Sequence, residues 1–204
     1  MAMTANARAQ RRQRHEEVRS SVRQATLRLV DHTPYKDLTV NDVAREAGIS
    51  RGAFYFYFRD KHDLLMALTE DVAEALYREA DRWWHGEGDP EALVREALSG
   101  VGAVYRRHAG LLRVATEVST YDEEVRQFWR SLVERFIDAT AEYLSRQQDA
   151  GRITQLEPRS AAEALVWMAE RSLYVYVASG ERQPEQVVDM LIPLWIAVLY
   201  PDAR

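Results

Sequence analysis

The sequence predicts an all-α fold of about nine helices. Three observations predict it. Apolar residues recur at helical spacing nearly everywhere, no segment alternates with a period of two, and the breaks carry glycine, proline or capping residues. With 204 residues, 47% hydrophobic and 29% charged, the chain can bury one large core or two small ones. Val18, Val22, Ala25 and Leu29 mark a first helix over roughly 15–32, closed before Pro34. A short second helix over about 40–47 has Thr39 as its N-cap and Asp42 in the first turn, where a carboxylate suits the helix dipole, and Gly48 stops it. Ser50 caps a third helix reaching about Phe58, and Lys61 or His62 opens a fourth that reaches Trp84. After the loop His85–Asp89, with Pro90 at a first helical position, helices are expected over 90–107, 109–118, 122–149, 158–178 and 184–199. The Asp122-Glu123-Glu124 run reads as a helix N-terminus rather than an acid–base pair.

Composition excludes several classes. There is no cysteine, which removes disulfides, thiolate nucleophiles and cysteine-ligated metals and fits a reducing compartment. The longest apolar stretch, Met190 to Tyr200, is eleven residues and contains Pro193, whereas a bilayer span needs roughly twenty. No apolar segment follows the N-terminal arginines, so no secretory leader is expected and the chain is placed in the cytoplasm. The net charge of −5 hides an asymmetry: residues 1–61 carry an excess of five positive charges, which leaves −10 for the remainder. A basic first third on an acidic body suits a chain that meets a polyanion at one end. A solvated charge gradient explains the same numbers.

The segment Thr39 to Gly52 places two short helices around a tight, glycine-containing turn, with Val43, Ala44, Ala47 and Ile49 as a small apolar seam. That is helix-turn-helix layout, in which the second helix enters the major groove. Five consecutive aromatics follow, Phe54 to Phe58, and residues about 100° apart around one axis cannot all be buried. Phe58 is expected in the core, one turn from Phe54, while Tyr55 and Tyr57 present hydroxyls. With Arg59-Asp60-Lys61 added, residues 15–68 resemble the TetR family of transcriptional regulators, with Tyr57 where that family usually carries histidine. The resemblance implies that Ser50, Arg51, Gly52, Tyr55, Tyr57 and Lys61 line double-stranded DNA, with Thr39 at a phosphate. It also implies a domain order: a disordered basic tail over 1–14, a DNA-binding domain over 15–62 with the helix-turn-helix at about 39–58, and an effector-binding and dimerisation domain over 63–204. The tail arginines Arg8, Arg11, Arg12 and Arg14 either reach an adjacent minor groove or serve only as a nonspecific basic segment.

The larger domain carries its own signals. Val125, Phe128, Trp129, Leu132, Val133, Phe136, Ile137 and Thr140 form a wide apolar stripe, the next helix is apolar on more than one side, and the last is apolar all round. Helices of that kind need covering on two faces, which predicts a homodimer through the last two helices and a palindromic operator. Within the family the chain resembles the EthR-type repressors, through Ile49-Ser50-Arg51 leading into the aromatic run, Glu170-Arg171-Ser172-Leu173, and Trp195 followed by Tyr200. This implies an apolar tunnel lined by Trp129, Phe136, Thr140, Trp167, Tyr174 and Trp195 that takes a small hydrophobic effector, whose binding releases the operator. Two asparagines offering polar contacts in that tunnel fall at Val166 and Ala169 here, which leaves Thr140 as the main hydrogen-bonding group, and Pro193 is expected to interrupt a helix that is continuous there.

Catalytic chemistry is not expected. His15, His32, His62, His85 and His108 are scattered without ligand spacing, and neither a phosphate-binding glycine loop nor a nucleophile elbow occurs, so no metal, cofactor or enzyme activity is expected. Glu170 and Arg171 lie within an apolar helix, as either a functional mark or a buried ion pair. The alternative to a ligand-responsive DNA-binding repressor is a dimeric helical module that binds apolar ligands or protein partners without reading DNA.

Overall fold

The computed structural model describes residues 2–153 and 156–200, with side chains from Gln13 onward. Two compact units divide at Thr69/Glu70, later than the expected boundary at 62, because the start of the fourth helix belongs with the first unit. Lys61 ties it there: its ammonium donates to the Tyr35 and Leu38 carbonyls at 3.0 and 3.2 Å. Every described element is helical, as the periodicity requires.

In the first unit α1 spans Ala2–Val30, α2 Val40–Glu46, α3 Arg51–Phe54, and α4 begins at Lys61 and runs to His85. Helix α1 thus runs through the stretch expected to be a disordered tail. The first thirty residues contain neither glycine nor proline, so nothing in the sequence ends a helix there. The side chains of Arg8, Arg11 and Arg12 lie outside the described residues. Thr39 and Asp42 close a reciprocal capping box at the start of α2. At its end the Ile49 amide reaches back to the Ala44 carbonyl and the Gly48 amide to that of Arg45. This double bond pattern needs Gly48 at φ 69°, a region costly to any residue with a Cβ. Helix α3 is shorter than the expected helix to Phe58. After Phe54 the chain tightens into turns, with the Tyr57 and Phe58 amides both bonding the Phe54 carbonyl. Phe54 and Phe58 are buried, joining Val22, Ala25, Val43, Ala44 and Leu64 in the core.

The second unit contains the rest of α4 with α5 (Pro90–Arg107), α6 (Ala109–Ser119), α7 (Glu123–Asp149), α8 (Pro158–Ser172) and α9 (Pro184–Leu199). Helix α7 packs along α8 and α5 along α9. Arg159 pairs with Glu134 and Asp138 across the first contact, and Arg95 meets Asp189 at 2.6 Å across the second. Asp89 caps α5 through its side chain, and Asp122, expected as the first residue of its helix, is instead the N-cap of α7. The helix expected over 158–178 changes type: α8 ends at Ser172 and a π-helical segment, Leu173–Ala178, continues it. The wider turn puts Leu173, Val177 and Ala178 all in the core, and Arg113 donates to the Ala178 carbonyl at 2.7 Å. The interruption expected at Pro193 does not occur, since α9 is unbroken around it. Proline cannot donate to the Asp189 carbonyl four residues back, but Pro193 lies on the exposed side of α9, where that carbonyl can tilt outward. No helix among the described residues is long and apolar enough to cross a membrane.

Candidate functional site

Two places carry chemistry, one in each unit. The first is the outer edge of α3 and the turn after it. Ser50 accepts the Ala53 amide at 3.1 Å and so fixes the start of α3, leaving Ser50, Arg51, Gly52 and Tyr55 exposed together. The Arg51 guanidinium lies 5.8 Å from the centre of the Tyr55 ring and donates to its hydroxyl at 3.3 Å. Its cationic neighbours are neutralised: Arg28 pairs with Glu46, Arg45 with Asp42 and Arg59 with Asp63. Arg51 forms no such pair among the described residues, so its charge is available outward. A Cβ on Gly52 would meet nothing nearer than the Ser50 hydroxyl at 3.9 Å, so the fold does not need glycine there. The space it leaves faces outward, where a backbone can approach a phosphate or base closely.

The other expected residues are placed differently from one another. Thr39 is exposed, but its hydroxyl is engaged in the capping box, donating to Asp42 at 2.6 Å, and the hydroxyl bond holds the Asp42 carboxyl below its ordinary pKa. Tyr57 is half-buried, its ring 4.7 Å from that of His15, so it does not stand out as Tyr55 does. Lys61 is half-buried, held by two carbonyls and lying 4.4 Å from the Tyr35 ring, which leaves at most one N–H for an outside acceptor. Phe56 was missed by the sequence reading and is the outermost aromatic, 87% exposed. Its signal lay in the geometry of the run: with Phe54 and Phe58 facing inward, the residue midway between them must face out.

The second place is a cavity inside the larger unit. About 700 Å³, including the part that opens to solvent, lies between α4, α5, α7, α8 and α9. The walls are aliphatic and aromatic, with Trp83, Trp84, Trp129 and Trp195 contributing four indoles. Of the six residues expected to line a tunnel, Trp129, Phe136, Thr140 and Trp195 do so, whereas Trp167 and Tyr174 do not. The helix register decides this. Leu165, Ala169 and Leu173 of the same stretch face inward, Trp167 is 37% exposed, and Tyr174 is half-buried under the Arg171 guanidinium. Val166 and Ala169 are on the wall, as expected from the replaced asparagines. Thr140 is buried on the wall and accepts the Trp84 indole N–H at 3.2 Å, which leaves its own O–H to donate.

Glu170 is a second polar group there. It is the one charged side chain on the wall, only 10% exposed, and its Oε2 has no hydrogen-bond partner. Burial holds its carboxyl above the ordinary pKa of 4.5, with Arg171 and the Trp129 indole pulling the other way. Tyr105 shares the wall, and its phenol is pushed far up by burial and then by the Glu170 charge. Arg171 pairs with Glu170 at 3.8 Å while itself remaining 62% exposed.

Comparison with known proteins agrees in both units. The profile of bacterial regulatory proteins of the tetR family matches residues 22–68, and that of the C-terminal domain of the transcriptional regulator EthR matches residues 94–201, just over half of the chain. The chain is 29% identical over 183 residues to the HTH-type transcriptional regulator EthR of Mycobacterium tuberculosis, covering 86% of this chain and 84% of that one. It is 28% identical to the EthR of Mycolicibacterium smegmatis over 85% of this chain and 82% of that one. Among solved structures, a TetR transcription regulator from Haloarcula marismortui superposes with a TM-score of 0.76 at 20% identity, over 90% of this chain and 99% of that chain. NalD, the secondary repressor of the MexAB-OprM multidrug efflux pump in Pseudomonas aeruginosa, superposes with a TM-score of 0.71 at 19% identity, over 92% of this chain and 98% of that chain. A helix-turn-helix unit joined in one chain to an EthR-type helical domain makes this protein a member of the TetR family of DNA-binding transcriptional regulators, not an enzyme.

Proposed function

We propose that the protein is a repressor that binds a pseudo-palindromic operator as a homodimer and leaves it when a small hydrophobic effector occupies the cavity of the larger unit. The observation that carries the effector reading is the apolar, indole-walled cavity itself, because a regulator that needed only to dimerise would gain stability by filling it. At the operator, Arg51 is assigned to a guanine edge or a phosphate, Gly52 to close backbone approach, and Ser50, Tyr55, Tyr57, Thr39 and Lys61 to the sugar–phosphate backbone. Phe56 adds apolar contact beside them. The dimer is assigned to α8, its π-helical continuation and α9, where Trp167, Val175, Leu194 and Val198 leave large apolar side chains exposed.

The test is selection of bound fragments from the source genome, followed by anisotropy on the selected site and on scrambled DNA across a salt series. An inverted-repeat site that resists salt better than scrambled DNA supports the reading. Uniform binding that collapses with salt would reduce the basic end to an electrostatic surface and favour the helical binding module that reads no DNA.

A further inference from the structure

Among the described residues, the first unit exposes two large apolar side chains, the neighbours Tyr55 and Phe56. Tyr55 is accounted for, since its ring lies beside the Arg51 guanidinium and its hydroxyl accepts from it. Phe56 is not. It is 87% exposed, and among the described residues no ring stacks on it and no cation lies over it. The fold does not call for an aromatic there, because Phe54 and Phe58 on either side already fill the core. The turn that carries Phe56 is braced all the same: its amide bonds the Ala53 carbonyl at 3.1 Å, and the next two amides bond that of Phe54 at 2.9 and 3.1 Å. A phenylalanine with two side-chain torsions on a fixed backbone loses little freedom when it docks.

The charge of the surroundings selects the partner. Residues 1–61 carry the positive excess of the chain, and Arg51 beside Tyr55 has no carboxylate partner among the described residues. In the major groove of a polyanionic duplex every base pair presents hydrogen-bond donors and acceptors, and one apolar group stands among them, the C5 methyl of thymine. A phenyl ring pressed on the polar edges strips their water and returns no hydrogen bond. Pressed on a methyl group, it removes apolar surface from water on both sides. We propose that Phe56 reads thymine in each half-site by packing its ring on the C5 methyl, so that one base of the operator is specified by an apolar contact. The inference rests on the operator reading above and adds a base preference to it.

The experiment takes the full chain and the operator recovered by fragment selection, and replaces thymine with deoxyuridine at one position at a time in both half-sites. This removes the methyl group and leaves base pairing unchanged. At one position the wild type should lose affinity by about fourfold per half-site in anisotropy, the equivalent of one buried methyl group. Phe56→Ala should bind the thymine operator more weakly and lose nothing further on deoxyuridine, whereas Phe56→Leu, still apolar, should keep the sensitivity. A wild type that tolerates deoxyuridine at every position overturns the inference, and so does a Phe56→Ala protein whose deoxyuridine loss is undiminished, which assigns the methyl to another residue. Both outcomes leave the operator reading standing. Recovery of no discrete site overturns the inference and that reading together. With the ring exposed, both variants should keep the circular dichroism of the wild type, and loss of the fold in either would make Phe56 a structural residue and overturn the inference as well.

Discussion

Arg51, Lys61 and Glu170 are all charged, and their surroundings give each a different task. Arg51 is exposed and has no carboxylate partner among the described residues, so Arg51→Ala should leave the fold intact and weaken operator binding by about 10- to 100-fold, read by anisotropy against unchanged circular dichroism. A loss of affinity shared equally by scrambled DNA would assign it to a phosphate instead of a base. Lys61 is a tie within the first unit. Lys61→Met should lower unfolding stability by roughly 1–2 kcal/mol in denaturant titration, since two carbonyls lose a charged donor. If stability is unchanged, the two bonds contribute nothing net. For Glu170 the sign follows from its raised pKa: the folded chain holds the proton more tightly than the unfolded one, so stability falls as pH rises above the ordinary value of 4.5. Glu170→Gln, neutral throughout, should be more stable than wild type at neutral pH by about 1 kcal/mol and lose that advantage in acid below 4.5. An offset independent of pH would show that the carboxylate is not strained by burial.

At the scale of elements, the ends of helices were legible because they are set by single residues acting locally. Thr39, Ser50, Asp89 and Asp122 all cap through their side chains, and Gly48 and Gly180 both follow helices with positive φ. Gly48→Ala should cost about 1 kcal/mol by thermal or chemical unfolding, because no neighbour lies within 4 Å and the backbone conformation alone resists it. What the periodicity could not show is where packing overrides the ideal helix. The early end of α3 depends on Phe54 and Phe58 both reaching one core, and the π-helical segment after α8 on burying Leu173, Val177 and Ala178 together. The extent of α1 has a functional counterpart: removing residues 1–14 should lower operator affinity and flatten its salt dependence, and an unchanged slope would show that those arginines do not touch phosphates.

At the scale of the whole molecule, the prediction concerns assembly. Leu194 and Val198 lie one turn apart on α9 and are 50% and 43% exposed in the single chain. Replacing both with glutamate should convert a dimer to a monomer by light scattering and abolish tight binding to a two-half-site operator, while monomer mass for the wild type would refute the assigned surface. Helical class, helix order and the helix-turn-helix layout were determined by the sequence alone, because periodicity, capping and turn chemistry act over a few residues. Tertiary structure alone decided which side chains meet. It left Trp167 exposed and placed Glu170 on the cavity lining although they lie three residues apart on one helix, and it brought an indole from 56 residues away to the Thr140 hydroxyl. The angle at which a helix presents its faces, and which distant side chain reaches a polar group first, are properties of packing among elements, and no local pattern encodes them.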